Sequence, residues 1–345
     1  AARDETGVAS VYLVWQIDGG EQGNLALHDD GLHDDEVAGD GIWGVRAGPF
    51  AAGTRVTYGV CAADIDGNAF CYGHQDTFTV LPVFTRTAEV LYVADHPGYD
   101  DSWYSPRFTD ALDRLGYTYD TWQTGLRCGV SSELLMQYAD GIVIWATPYE
   151  GSISGDMSQL AALQAYLDAH GKLFLTGQNI ARWLSVVPPG VSFLADYLHA
   201  SFQQDDSGRR AVTGVGGDPI GDGLAVSITA GDGASNQYST DVVEPIAPAM
   251  STFTYQAGEN ASPPTCPGTC TAGLRVDTGV YKVVYFAFGF EAINRAADRA
   301  AVLGRVLDWL GVSPEAALYL PMVLAGQPAQ IDSFRADDIR QAPGG

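Results

Sequence analysis

The stretch Lys172-Leu173-Phe174-Leu175-Thr176-Gly177-Gln178-Asn179-Ile180-Ala181 decides the fold. Leu173, Phe174 and Leu175 run unbroken into Thr176-Gly177, and a polar turn follows. A short apolar run without alternation reads as a central strand of a parallel sheet, buried on both faces. The Gly after it marks a sharp strand-to-helix turn. In open α/β sheets, ligands and chemistry gather at the carboxyl ends of such strands. The residues in this turn, Gln178 and Asn179, carry no nucleophilic side chain.

The alternation extends on both sides of this strand. Val90–Ala94, Tyr117–Trp122, Gly141–Trp145 and Val283–Phe288 read as further strands. Arg107–Leu115, Met157–His170, Val191–His199 and Arg295–Leu310 read as helices, with Gly116, Gly171 and Gly311 as stops. Strands alternating with helices predict a doubly wound parallel sheet over residues 85–312. Residues 202–279 break the rhythm: the segment is rich in Gly, Asp and Ser and reads as a long insertion with short strands of its own. No Gly-Lys-Ser/Thr follows its glycines, which excludes a P-loop.

Residues 1–84 have a different grammar. Val11–Trp15 and Arg55–Val60 are rich in β-branched and aromatic residues, with Gly-Pro and Asp-Gly turns between them. This predicts a small antiparallel sandwich of the immunoglobulin-like kind. The whole is then multi-domain: an all-β sandwich, an α/β domain, and a C-terminal strand and tail over 313–345. Within that tail, apolar Ala317–Ala325 is expected as an edge strand, on its own domain or added to another copy.

Composition limits the function. Hydrophobic residues make up 46% of the 345, enough for two cores. Asp and Glu number 42 against 18 Lys and Arg, a formal charge of −24. That field repels nucleic acid and anionic membranes. No run of 18 apolar residues is present, so no membrane span is expected. The absence of Met at position 1 fits a processed secreted product. Cys61 and Cys71, and Cys266 and Cys270, form two close pairs in loop-like settings, which predicts two local disulfides and an oxidising, extracellular compartment. Spacing alone leaves their connectivity open. Half of a zinc site is the rival for Cys266 and Cys270, but further ligands are missing nearby. Cys128 is left over and expected free.

The sharpest chemical signal is the loop His28–Trp43. Asp29, Asp30, Asp34, Asp35, Glu36 and Asp40 fall within it, with Gly31, Gly39 and Gly41 to curl the backbone. Carboxylates this dense repel one another unless a cation intervenes. Hard oxygen ligands on a flexible loop suit Ca²⁺ in a structural role. The spacing is not that of an EF-hand. His28 and His33 lack Cys or further His partners, so zinc is the weaker expectation. The loop resembles the DDG…D…AGDG…aromatic segment of bacterial extracellular immunoglobulin-like domains. That resemblance implies Asp30, Asp35 and Asp40 as side-chain ligands, with the His33 carbonyl beside them and Asp29 in the same cluster.

Residues 88–311 resemble the class I glutamine amidotransferase-like fold, in the divergent form found on bacterial secreted and surface proteins. The resemblance rests on LYVAD, ADGIVIWATP, GKLFLTGQNIA and VVYFAFGFEAI. Active members carry Gly-x-Cys-x-Gly after the central strand, matched here by Gly177–Ala181, with Asn179 in the thiolate's place. They also carry Phe-His-Pro-Glu near the end, matched by Phe288–Glu291, with Gly289 in the base's place. A nucleophile needs an adjacent base. The resemblance therefore implies a degenerate cleft, marked by Asp95, Gln178, Asn179 and Glu291, and no acyl transfer.

Three functions are left open by the residues. The first is a non-catalytic extracellular protein for display, adhesion or self-assembly, a filament subunit included, whose partners are other copies or cell-surface components. The second is a secreted hydrolase or carbohydrate-binding protein. It would use Asp95, His96, Asp100 and Asp101 with the aromatic residues Tyr99, Trp103 and Tyr104. The third is an accessory module of a larger secreted peptidase or wall protein.

Overall fold

The computed structural model describes residues 7–312, apart from 19, 34–36, 73–75, 97–100, 128, 149–152, 154–156, 257–265 and 267. The expected C-terminal strand and the expected free Cys128 lie outside the described residues. The chain divides into two compact units, Ala1–Thr85 and Arg86–Gly345.

Unit 1 is all-β. Strands β1 (Val8–Ile17), β2 (Gln22–Leu27), β3 (Arg55–Asp64), β4 (Ala69–Cys71) and β5 (Asp76–Thr79) form one antiparallel sheet in the order β2-β1-β3-β4, with β5 also on β3. Strand period 2 puts Val11, Leu13, Trp15 and Ile17 on one face with Val56, Tyr58 and Val60 opposite them. Val11 and Val56 are buried there, and Phe50 meets the Trp15 ring edge-on at 5.2 Å. Cys61 and Cys71 face each other across β3 and β4 and are disulfide-bonded. Among the described residues, the strands of unit 1 form one sheet. Between β2 and β3 the described residues make one isolated bridge, His28 to Gly44, because Asp and Gly there favour turns over a ladder.

Unit 2 is built on a mixed sheet. Strands β6 (Val90–Ala94), β7 (Tyr119–Gln123), β8 (Ile142–Ala146), β9 (Lys172–Thr176) and β16 (Lys282–Phe286) run parallel, in the order β7-β6-β8-β9-β16. Every residue of β6 and β8 is buried, as an unbroken apolar run requires.

The helices are α1 (Ser105–Leu115), α2 (Thr124–Arg127), α3 (Ser132–Met136), α4 (Met157–Asp168), α5 (Ile180–Leu184), α6 (Pro188–Asp196) and α7 (Ala296–Leu310). Helix α1 packs on α7, α3 on α4, and α4 on α6. Helix α6 starts earlier than the apolar pattern predicts, because Pro188 and Pro189 fit a first turn that needs no N–H partner.

The segment expected as an insertion carries short strands, as expected, and these extend the sheet. Strands β10 (Ala200–Gln204), β11 (Ala211–Gly214), β12 (Ala225–Ser227), β13 (Val242–Pro245), β14 (Met250–Tyr255) and β15 (Thr271–Asp277) pair antiparallel, and β15 joins β16 through a tight turn. The sheet is therefore not parallel throughout. Cys266 and Cys270 close the second disulfide just before β15.

One carboxylate ties the entry of unit 2 to its sheet. Asp120 on β7 accepts from the Thr87 and Ala88 N–H groups at 2.8 and 2.9 Å, and from the Tyr138 hydroxyl at 2.6 Å. The Thr87 hydroxyl adds a fourth bond at 2.5 Å. Burial raises its pKa, but these bonds together outweigh burial and leave the carboxyl below its usual range. Asp120→Ala leaves two N–H groups and a buried phenol without a partner. It is expected to destabilise unit 2 by on the order of 3 kcal/mol, read as a lower urea midpoint at unchanged slope.

Candidate functional site

Four turns converge at the carboxyl ends of β6, β8, β9 and β16. They carry Asp95-His96, Thr147-Pro148, Gly177-Gln178-Asn179 and Phe288–Glu291. Thr176 ties two of them together: its hydroxyl donates to Phe288 O at 2.8 Å and accepts from Phe290 N at 2.9 Å. At Gly177 a side chain has no room, because its Cβ would overlap the Thr147 carbonyl.

The turn after β9 is sharp. Asn179 has φ 61° and ψ 3°, left-handed, and leads directly into α5. Asn is among the few residues that tolerate this conformation. Its identity thus has a backbone reason that the sequence reading, concerned with the missing thiolate, did not contain.

Gln178 fills the crevice. Its side chain is 1% exposed. The amide nitrogen donates to Pro148 O at 2.9 Å and to Asn236 O at 2.7 Å. The amide oxygen accepts from Tyr238 N at 2.7 Å and Ser239 N at 3.0 Å. Both donors and both lone pairs are used, the full capacity of a Gln amide. The loop 236–239, from the antiparallel extension, is thereby held against the turn after β9.

Glu291 closes the same crevice from the other side. It is fully buried in a single 3₁₀ turn. Its Oε1 accepts from Asn236 Nδ2 at 2.7 Å and Gln237 Nε2 at 3.3 Å, while Oε2 has no hydrogen-bond partner among the described residues. Burial pushes its pKa up, and the Asn236 bond only partly offsets that. The carboxyl lies directly over Gly289: a Cβ there would overlap Glu291 Oε1 and crowd Gln237 Nε2. Gly289 N–H donates to Gln237 Oε1 at 2.8 Å.

Asp95 is equally enclosed. Its Oδ2 accepts from Trp145 Nε1 at 2.9 Å and Ile153 N at 3.3 Å, and its Oδ1 from the Thr124 hydroxyl at 3.2 Å. These contacts fasten the turn after β6 to β8 and α2. His96 is buried, with its ring 5.6 Å from that of Tyr104. Trp103 is half exposed, donates to Ala234 O at 3.3 Å and carries the Arg107 guanidinium 5.0 Å above its ring. Tyr99 and Asp100 lie outside the described residues, and the side chain of Asp101 is not described.

Sequence reading missed Asn236, Gln237 and Asp241. Asp241 caps α5, accepting from Arg182 N at 3.0 Å, while its Oδ1 has no hydrogen-bond partner among the described residues. Burial, with Asp205 adding a like charge, pushes its pKa up to about 7. The neighbouring Tyr285 hydroxyl is also buried without a protein partner. The only signal for these residues was the run Asn236–Asp241 inside a Gly-rich stretch.

In unit 1 the acidic loop is organised by its own backbone. Asp29 accepts from Gly39 N at 2.6 Å and Gly41 N at 3.0 Å, and Asp40 from Ile42 N at 2.8 Å. Asp30 Oδ1 accepts from Leu32 N at 3.0 Å, and both its oxygens lie 3.0 Å from His33 Nδ1. The bond to His33 holds the Asp30 carboxyl below its usual range. Of the five expected ligands, Asp30 and His33 are brought together, whereas Asp29 and Asp40 turn to the backbone. Asp35 lies outside the described residues. His28, which the resemblance did not include, joins Asp30 and His33.

The family model described as the conditioned medium factor second Ig-like domain matches residues 2–80. No curated protein matches the chain. Among solved structures, it is similar to the exo-β-1,4-mannosidase Op5Man5 of Opitutaceae bacterium strain TAV5, at 13% identity and a TM-score of 0.38, over 64% of this chain and 34% of that one. The chain thus spans about a third of the mannosidase's length. It is also similar to the cytoplasmic protein STM1381 of Salmonella typhimurium LT2, at 11% identity and a TM-score of 0.42, over 64% of this chain and 98% of that one. Likeness at this level assigns neither fold nor activity. The family match thus places an immunoglobulin-like domain at the N-terminus, and unit 2 has mixed α/β structure.

Proposed function

We propose that this chain is a non-catalytic extracellular module in which a degenerate amidotransferase-like scaffold follows an immunoglobulin-like domain. Its role is structural: surface display, adhesion or self-assembly. The observation that carries this reading is the saturated Gln178 amide, which holds the chain's own loop 236–239 in the crevice where chemistry would occur. The parallel strand order β7-β6-β8-β9-β16, with α1 against α7 and α3 against α4, supports a doubly wound scaffold. Two disulfides support an oxidising compartment, and the matched family takes its name from a factor of conditioned medium. Among the described residues, no helix is long and apolar enough to cross a membrane.

The test is turnover. The full chain is incubated with panels of primary amides, esters and glycosides, and its intact mass is followed. Background rates and an unchanged mass are expected. Turnover that Glu291→Gln or Asn179→Ala abolishes would overturn the reading. For self-assembly, sedimentation of the full chain is compared with that of residues 1–312. Larger species that depend on the last 33 residues are expected; monomers in both samples reject bridging by the tail.

A further inference from the structure

The carboxylate-rich loop of unit 1 holds a feature that its sequence does not announce. His28 closes the paired bridge to Gly44, at 2.9 and 2.8 Å, so its backbone is fixed at the end of β2. His33 comes from the curled part of the loop five residues later. Yet the two imidazole rings lie 4.3 Å apart, inclined by 30°. Asp30 sits with them, and one ligand atom from each of the three lies within 4.8 Å of the others.

We infer that His28, Asp30 and His33 form a site for a divalent transition-metal ion of the zinc class. The spacing between donors supports this. His33 Nδ1 stands 3.0 Å from each Asp30 oxygen. Two bonds of about 2.1 Å meeting at the tetrahedral angle subtend about 3.4 Å, so an ion fits once imidazole and carboxylate part by about 0.4 Å. All three side chains are exposed, which lets His28 close the remaining gap by rotation and leaves further positions to water. The donor set is two imidazoles and one carboxylate, which suits zinc, nickel or copper better than calcium.

The rest of the loop points the same way. Calcium takes six to eight oxygen ligands. Asp29 has committed both oxygens to Gly39 and Gly41 N–H groups, and Asp40 one oxygen to Ile42 N–H. Among the described residues, neither Asp29 nor Asp40 joins a group of three close metal-binding side chains. A zinc-class ion at His28, Asp30 and His33 leaves the Asp29 and Asp40 bonds intact and takes the place of the His33–Asp30 hydrogen bond. Its effect would be to lock the loop's curl onto the end of β2.

The experiment titrates the tag-free full chain with Zn²⁺, with Co²⁺ as a spectroscopic probe and with Ca²⁺ in a separate arm. One equivalent of Zn²⁺ is expected to bind and to raise the melting temperature of unit 1. Co²⁺ is expected to give visible absorption that Zn²⁺ displaces. His28→Gln and His33→Gln should each weaken binding at least about tenfold, the loss that even an outer-shell change can cause. Asp40→Asn should leave it unchanged. Because these side chains are exposed, the metal-free variants should melt with the parent. Zn²⁺ binding that survives the double histidine replacement, no Zn²⁺ binding at all, or Ca²⁺ binding that needs Asp40 would each overturn the inference.

Discussion

Gly289→His returns an imidazole to the position where an amidotransferase-like base is expected, and it should cost stability while restoring nothing. A Cβ at 289 overlaps the Glu291 carboxyl and crowds Gln237. Glu291 is fully buried, so its side chain cannot swing into solvent. Displacing it breaks the bonds from Asn236 and Gln237 and moves a carboxyl among apolar residues. Overpacking costs about 1–3 kcal/mol and each stranded buried polar group about the same, so a loss on the order of 4 kcal/mol is expected. Urea unfolding followed by tryptophan fluorescence measures it. Combined with Asn179→Cys, the variant should still show no acyl transfer, because Gln178 and the loop 236–239 occupy the approach. Wild-type stability for Gly289→His would mean that the pocket has room after all.

The second large effect concerns pH. Asp241 is buried at the start of α5 with one oxygen unpartnered, and its pKa is pushed up to about 7. In the unfolded chain it titrates near 3.9. Between those values the folded state holds a proton that the unfolded state has released. Its contribution to stability is therefore fully present below about pH 4 and is lost as pH rises through 7, on the order of 4 kcal/mol in all. Burial likewise pushes Glu291 up, which adds to the same slope. Asp241→Asn supplies a neutral amide whose oxygen can still accept from Arg182 N. The variant should be more stable than the parent at pH 8 and should lose that advantage near pH 4. Melting temperatures of the pair across this range decide the matter. A constant difference from pH 4 to pH 8 contradicts a buried, titrating Asp241.

Both effects arise from contacts that sequence could only half announce. Strands β6, β8, β9 and β16 were legible because burial on both faces demands unbroken apolar runs. The helix stops at Gly116 and Gly311 were legible because little else ends a helix so readily. Short strands were expected in the segment of β10–β15, but not that they join the main sheet, because short strands set among Gly and Asp residues carry no signal for their pairing partners. Gln178 could be read as a non-nucleophile but not as a plug. Its partners Tyr238 and Ser239 lie 60 and 61 residues away, and no local pattern ties an amide to them. The acidic loop shows the converse. Its charge density was obvious, but which carboxylates turn inward depended on where Gly39 and Gly41 present their N–H groups. That left His28 with Asp30 and His33, a set spread over six positions that charge counting passes over.

The crevice filled from within is tested most directly by amide hydrogen exchange at Tyr238 and Ser239, whose N–H groups both bind the Gln178 amide oxygen. Protection close to that of β16 is expected in the parent chain, with at least a hundredfold loss at these two amides in Gln178→Ala, about 2.7 kcal/mol of local opening free energy. Exchange at the rate of an open loop in the parent chain would contradict a filled crevice and with it the non-catalytic reading.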